Sequence, residues 1–278
     1  MHPTKASGGK ESFLTMETME NNVQAERYRA LYEQGFVPIF VNDSFDAVQL
    51  AEASVAAGAK VIEITCRRPN VVDEIKRIRS ALPDVLVAVG SVVDDGPMLD
   101  FQKSRQPKHP SIAELVDLDI HGLVSMMPIS LETVARYADT HIFVPGVQTL
   151  TEAVAAVEAG AHFAKFFDLS LGGEQKRAGL MTCVAVHGLI PIFVTGGVTL
   201  EKIEPYVALR TALLGSGWDV LLGDRYEAMQ KKADTAALTA ALKAFLDAMA
   251  EARSGHLSLP TGGGVQEFLD AVPHYHPF

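Results

Sequence analysis

The sequence predicts an α/β fold closed as a (β/α)8 TIM barrel, and three observations predict it. Short β-branched runs recur at intervals of about 20 to 35 residues. Segments of helical period lie between them, several opening on Ser, Thr or Asn and closing on Gly, the residue types that cap helix ends. Eight such units fit between Val37 and Gly217. That span suits one compact barrel, with an open doubly wound sheet as the competing arrangement.

In chain order the strands are VPIFVN (Val37–Asn42), VIEITC (Val61–Cys66), LVAVGS (Leu86–Ser91), GLVSMM (Gly122–Met127), HIFVPGV (His141–Val147), FAKFFD (Phe163–Asp168), PIFVTGG (Pro191–Gly197) and ALLGSG (Ala212–Gly217). Helices are expected over Ser44–Gly58, Asn70–Leu82, Ser130–Thr140, Thr149–Gly160 and Thr199–Leu209. The barrel domain is expected to span residues 21–253, with Asn22–Gln34 as a helix closing its bottom. Residues 1–20 are polar and expected to be mobile. Phe101–Pro110, basic and carrying two prolines, reads as a surface loop. Residues 254–278 are punctuated by Gly and Pro and read as a C-terminal arm, at the surface or between subunits. Its His274 and His276 lack the acidic or thiol partner that a metal site needs.

Composition narrows the function classes. At 48% hydrophobic residues the chain can bury a large core, and its net charge of −10 argues against nucleic acid or an anionic membrane as partner. The first residues hold no apolar leader, and no run approaches the roughly 18 apolar residues of a membrane span, so a cytoplasmic enzyme is expected. Cys66 and Cys183 are far apart and fit neither a disulfide framework nor a zinc site.

The chemistry is concentrated on alternate strand positions. In HFAKFFD, Lys165 stands inside an apolar strand, although stripping water from an ammonium is unfavourable unless something compensates. Barrel strands point alternate side chains inward, which puts Lys165 and Phe167 on the interior face. On the second strand the same rule groups Glu63, Thr65 and Arg67, and Ser91 ends the third strand at the carboxyl end, where active sites of this fold gather. These residues are either a buried ion network or a catalytic set. In the catalytic case low dielectric and a cation such as Arg67 depress the amine's pKa, leaving a nucleophile for a carbonyl carbon. Glu63 then relays protons and Arg67 grips a carboxylate. Thr195-Gly196-Gly197 and Gly215-Ser216-Gly217 end strands seven and eight, where many barrels cradle a phosphate; plain turn glycines are the alternative.

From Val37 to Gly223 these residues resemble the 2-keto-3-deoxy-6-phosphogluconate (KDPG) and 4-hydroxy-2-oxoglutarate (KHG) aldolases. The resemblance rests on GAKVIEITCRRPN, AVGSVV, VPGVQTLTEA, FAKFF, and FVTGGVTLE followed by GSGW. It implies a barrel of the class I aldolase type that reversibly cleaves a 2-keto-4-hydroxy acid to pyruvate and an aldehyde, without cofactor or metal. By the same resemblance Lys165 forms the Schiff base with pyruvate and Glu63 is the general acid/base. Arg67, Thr65 and Ser91 hold the pyruvyl carboxylate, and Phe167 walls the pocket. Pro145, Thr195, Gly196, Gly197, Gly215 and Ser216 complete the substrate-binding set. A homotrimer acting on small keto acids in carbohydrate metabolism of the Entner-Doudoroff type is also implied.

The chain departs from the family pattern in several places. Asp168 replaces the usual Pro after Lys-Phe-Phe, a carboxylate at the pocket rim that repels an anionic substrate or orders a different one. Gly215-Ser216-Gly217-Trp218 replaces Gly-Gly-Ser-Trp, Ser125-Met126-Met127-Pro128 replaces a shorter Ser-Pro-Gly, and Ser91 stands for Thr. The rival readings are a phosphate-binding barrel isomerase or epimerase, and a ligand-binding barrel without turnover.

Overall fold

The computed structural model describes residues 16–167, 190–257, 259–260 and 262–278. Eight parallel strands form one sheet: β1 Phe36–Phe40, β2 Val61–Thr65, β3 Leu86–Gly90, β4 Gly122–Val124, β5 Ile142–Val144, β6 Ala164–Phe167, β7 Ile192–Thr195 and β8 Leu213–Gly217. Hydrogen-bonded neighbours run β5-β4-β3-β2-β1-β8-β7-β6, so β1 pairs with both β2 and β8. The remaining gap closes through a parallel bridge between Gly146 and Lys165. There the Lys165 N–H donates to the Pro145 carbonyl at 2.8 Å and the Val147 N–H to the Lys165 carbonyl at 2.9 Å. The expected barrel is therefore present, and its last seam is made by the backbone of the residue that first drew notice.

Strand alternation divides the core in two. Ile62, Ile64, Val87, Val89, Ala164, Phe166, Ile192 and Val194 pack against the helices. Val61, Ala88, Val144, Phe163, Phe193 and Leu213 fill the barrel interior. The register sets Glu63 level with Ile39 and Ala88, and Phe167 level with Thr195. Apolar residues thus occupy the lower interior layers, and polar ones stand above them toward the carboxyl ends.

Helices of the five expected segments run Ala47–Ala56, Val71–Ala81, Leu131–Tyr137, Leu150–Glu158 and Leu200–Ala208. Asp46, Ser130 and Thr149 cap three of them through their side chains. Reading Phe101–Pro110 as a loop requires correction, because Pro97–Arg105 is a helix. Pro97 sits in its first turn, where the missing N–H costs nothing, and Leu99 is its buried anchor. With one apolar contact the segment shows almost no helical period, so only its N-terminal signal was available. Only Gln106–Pro110 is irregular, and the Gln106 amide donates to the carbonyls of Cys66 and Arg68. Among the described residues no helix is long and apolar enough to cross a membrane.

Both terminal segments cover the amino end of the barrel. The first helix runs Met16–Gln34, starting earlier than Asn22; residues 1–15 lie outside those described. Tyr28 stacks on Phe163 with ring centroids 4.8 Å apart and meets Phe268 and Phe278 edge-on. Phe268 belongs to a C-terminal helix, Val265–Ala271, and Tyr32 Oη shares a 2.7 Å hydrogen bond with His274 Nδ1. The segment read as an arm thus packs against its own barrel. Arg253 ties the ends together, donating to the carbonyls of Tyr32 and Ala212.

Three histidines at this end are held neutral. Burial pushes His162 down to about 3, and His121 and His141 to about 4, from an ordinary 6.5. Two of them accept backbone hydrogen bonds on Nδ1, from Val87 N–H and Phe143 N–H. Below the unfolded value the unfolded chain binds more protons than the folded one, so stability falls as pH drops from about 6.5 toward 4. The urea midpoint should be lower at pH of about 5 than at about 7. His162→Asn, which keeps an acceptor for Phe143, should lessen that difference, with His121 and His141 accounting for part of what remains.

Candidate active site

Lys165 on β6 and Glu63 on β2 reach across the barrel interior and meet, with Nζ 3.5 Å from Oε1. Their residues are 3% and 1% exposed, so the pair is dry. The second Glu63 oxygen has no hydrogen-bond partner among the described residues, and Lys165 Nζ also lies 5.3 Å from the Phe193 ring centroid. Burial is the largest influence on the amine and lowers its pKa below the ordinary lysine value; Glu63 works in the opposite direction, and Arg67 adds a minor lowering.

Above the pair a cavity of about 210 Å³ opens at the carboxyl ends of the strands. Its lining includes Glu63, Arg67, Ser91, Lys165, Phe167, Thr195, Gly196, Gly197 and Ser216, nine residues anticipated from the sequence. Ile39, Val41, Met126, Gly217, Asp219 and Val220 make up the rest of the lining among the described residues. A buried, depressed amine beside a carboxylate at the base of such a cavity suits attack on a carbonyl carbon.

Similarity to known proteins points the same way. Residues 29–105 match the family model for KDPG and KHG aldolase. The 2-dehydro-3-deoxy-phosphogluconate aldolase of Dickeya dadantii is 28% identical, over 66% of this chain and 79% of its own. The KHG/KDPG aldolase of Escherichia coli K12 is 27% identical, over 71% and 88%. Over these lengths the chain is similar to KDPG and KHG aldolases. The barrel of the 2-keto-3-deoxy-6-phospho-gluconate aldolase from Zymomonas mobilis superposes with a TM-score of 0.57 at 23% identity, covering 78% of this chain and 94% of that one, which reports the shared fold.

Around this pocket the structure places the remaining anticipated residues as follows. Arg67 stands exposed at the mouth, and the buried guanidinium is its neighbour Arg68. Arg68 pairs with Glu74 at 2.5 and 2.9 Å and donates to the Phe45 carbonyl at 2.9 Å, fastening β2 to the loop after β1. Of the two influences expected to depress Lys165, burial is the larger and Arg67 the smaller. Thr65 does not line the cavity; its hydroxyl donates to the carbonyls of Val41 at 2.8 Å and Phe40 at 3.2 Å. Ser216 Oγ likewise donates to the Val198 carbonyl at 2.8 Å. Gly215 and Pro145 sit behind the lining. A side chain at Gly215 would stand 3.0 Å from the Phe193 ring, and Pro145 supplies the carbonyl that closes the barrel on Lys165. Asp168 and Cys183 lie outside the described residues.

The sequence reading also passed over Gly90. It pairs with Thr65 across β2 and β3, and a Cβ there would strike the Glu63 carboxylate. Glycine thus gives the glutamate head room to lie across β3 toward the lysine. Ser91 follows with φ of 57°, in the left-handed region that few non-glycine residues adopt, and this turns the chain along the cavity wall. Gly90→Ala should displace Glu63 from Lys165 and lower turnover by at least about tenfold, with a smaller effect on thermal stability, because the clash falls on a side-chain end. Parallel kinetic and melting measurements on the variant check this.

Proposed function

We propose that this chain is a class I aldolase, a carbon–carbon lyase that cleaves a KDPG-like or KHG-like 2-keto-3-deoxy-4-hydroxy acid to pyruvate and an aldehyde. One observation carries the reading: a fully buried lysine amine, its pKa lowered, 3.5 Å from a buried glutamate at the base of an open cavity.

The neutral Lys165 amine attacks the substrate's C2 carbonyl carbon, forming the C–N bond as the carbonyl electrons pass to oxygen, and a proton then moves from the nitrogen to that oxygen. Glu63 supplies the proton that lets the resulting hydroxyl leave as water, giving an iminium ion. Glu63, now a carboxylate, is placed to accept the C4 hydroxyl proton. The C3–C4 bond then breaks, its electrons flow into the iminium as an enamine, and the aldehyde departs. Glu63 returns that proton to C3, regenerating an iminium; water then adds to it with loss of a proton to Glu63, and collapse releases pyruvate and restores the amine. Arg67 and Ser91 hold the substrate carboxylate from the mouth, and Phe167 walls the pocket. Thr65 acts as a positioning residue, because its hydroxyl is bonded to the end of β1. A homotrimer acting in the cytoplasm, in sugar-acid breakdown of the Entner-Doudoroff type, belongs to the same proposal, and light scattering on the eluting protein tests the subunit number.

Incubation with pyruvate and borohydride should leave a reduced adduct that peptide mapping places on Lys165. Lys165→Met should abolish both adduct and turnover; retention of turnover would return the reading to an isomerase or epimerase. Glu63→Gln should lower turnover by roughly 10²- to 10⁴-fold. Because the lysine's folded value lies below 10.5, cleavage should rise with pH through a midpoint under that value as the amine deprotonates. A flat pH profile would count against a titrating Lys165.

A further inference from the structure

We infer, resting on the aldolase reading, that this pocket selects an uncharged, hydroxyl-bearing aldehyde half over a phosphorylated one, and that Asp219 sets the selection. Asp219 lies two residues beyond β8 and lines the cavity that Lys165 and Glu63 close from below. Its carboxylate folds over Gly217, where any Cβ would strike Oδ1. Among the described residues it has no hydrogen-bond or ion-pair partner, so its charge faces whatever enters. The cations on the described lining are Lys165 at the base and Arg67 at the mouth after β2. Neither follows β7 or β8.

The same side of the pocket is equipped for hydroxyl groups. Thr195, at the end of β7, is 1% exposed and its Oγ1 has no partner among the described residues. Ser216, by contrast, has committed its proton to Val198. A substrate hydroxyl can donate to Asp219 and accept from Thr195, whereas a phosphate brought beside Asp219 meets a like charge; Lys202, on the helix after β7, has its ammonium on the Gly197 carbonyl at 2.8 Å and does not line the cavity. The two glycine loops keep their place at strands seven and eight, and the side chain that follows them reverses the sign of the site.

The test compares condensation of pyruvate with three aldehydes, D-glyceraldehyde, D-glyceraldehyde 3-phosphate and glyoxylate, in the native protein and in Asp219→Asn. The native protein should favour D-glyceraldehyde over its phosphate by at least about tenfold in kcat/KM. The variant should reverse at least about tenfold of that preference, and glyoxylate, too short to reach Asp219, should change by less than about twofold. A native preference for the phosphorylated aldehyde, or a parallel change with all three, overturns the assignment. Borohydride trapping of pyruvate on Lys165 in both proteins keeps the two ideas apart. An adduct without discrimination removes only the role of Asp219, and no adduct removes the aldolase reading together with it.

Discussion

The structure is organised around the burial of one amine against one carboxylate inside a closed barrel. Removing a lysine and a glutamate from water is unfavourable, and their mutual attraction rarely repays it in full. Tolerating the pair requires a surplus of apolar burial elsewhere and a wall rigid enough to keep water from relaxing the site. The barrel supplies both. Its lower interior is filled by Val61, Ala88, Val144, Phe163 and Leu213, and its outer face by a layer of aliphatic and aromatic side chains. The backbone of Lys165 itself closes the last seam, so the side chain under strain is anchored by two strands at once.

The cover at the amino end belongs to the same logic. Tyr28 and Tyr32 from the first helix, Phe268 from the last and the guanidinium of Arg253 seal the base of the barrel opposite the cavity. A dry floor keeps the effective dielectric low beneath Lys165, which is the largest reason its amine is depressed.

Much of this was legible in the sequence because strand alternation is a strict code. Eight β-branched runs at regular spacing gave the barrel, and period two placed Glu63, Lys165 and Phe167 inside it. What escaped depends on facts that no single chain position states. Arg67 and Arg68 are adjacent and chemically alike, and only the turn after β2 decides that the first reaches the mouth while the second is buried on Glu74. Thr65 has the right face, yet its hydroxyl is consumed by β1. Gly90 reads as an unremarked strand residue until Glu63 is seen lying across it. Pro97–Arg105 hides as a loop because a helix held by one apolar contact has no period to detect.

The division of labour within the pocket follows from where each residue sits. Lys165, Glu63 and Gly90 are held on strands, where hydrogen bonds to two neighbours fix each position, and the bond-breaking geometry tolerates little drift. Asp219, Arg67 and Met126 stand just past strand ends, where a change of side chain alters what is bound without disturbing the barrel beneath. The residues proposed to carry the covalent chemistry are therefore fixed by the sheet, and those proposed to meet the aldehyde half stand on the loops beyond it. The carboxylate after β8 is one of the latter. It leaves the lysine and its proton relay untouched, and it alters the charge that the far end of a substrate must satisfy.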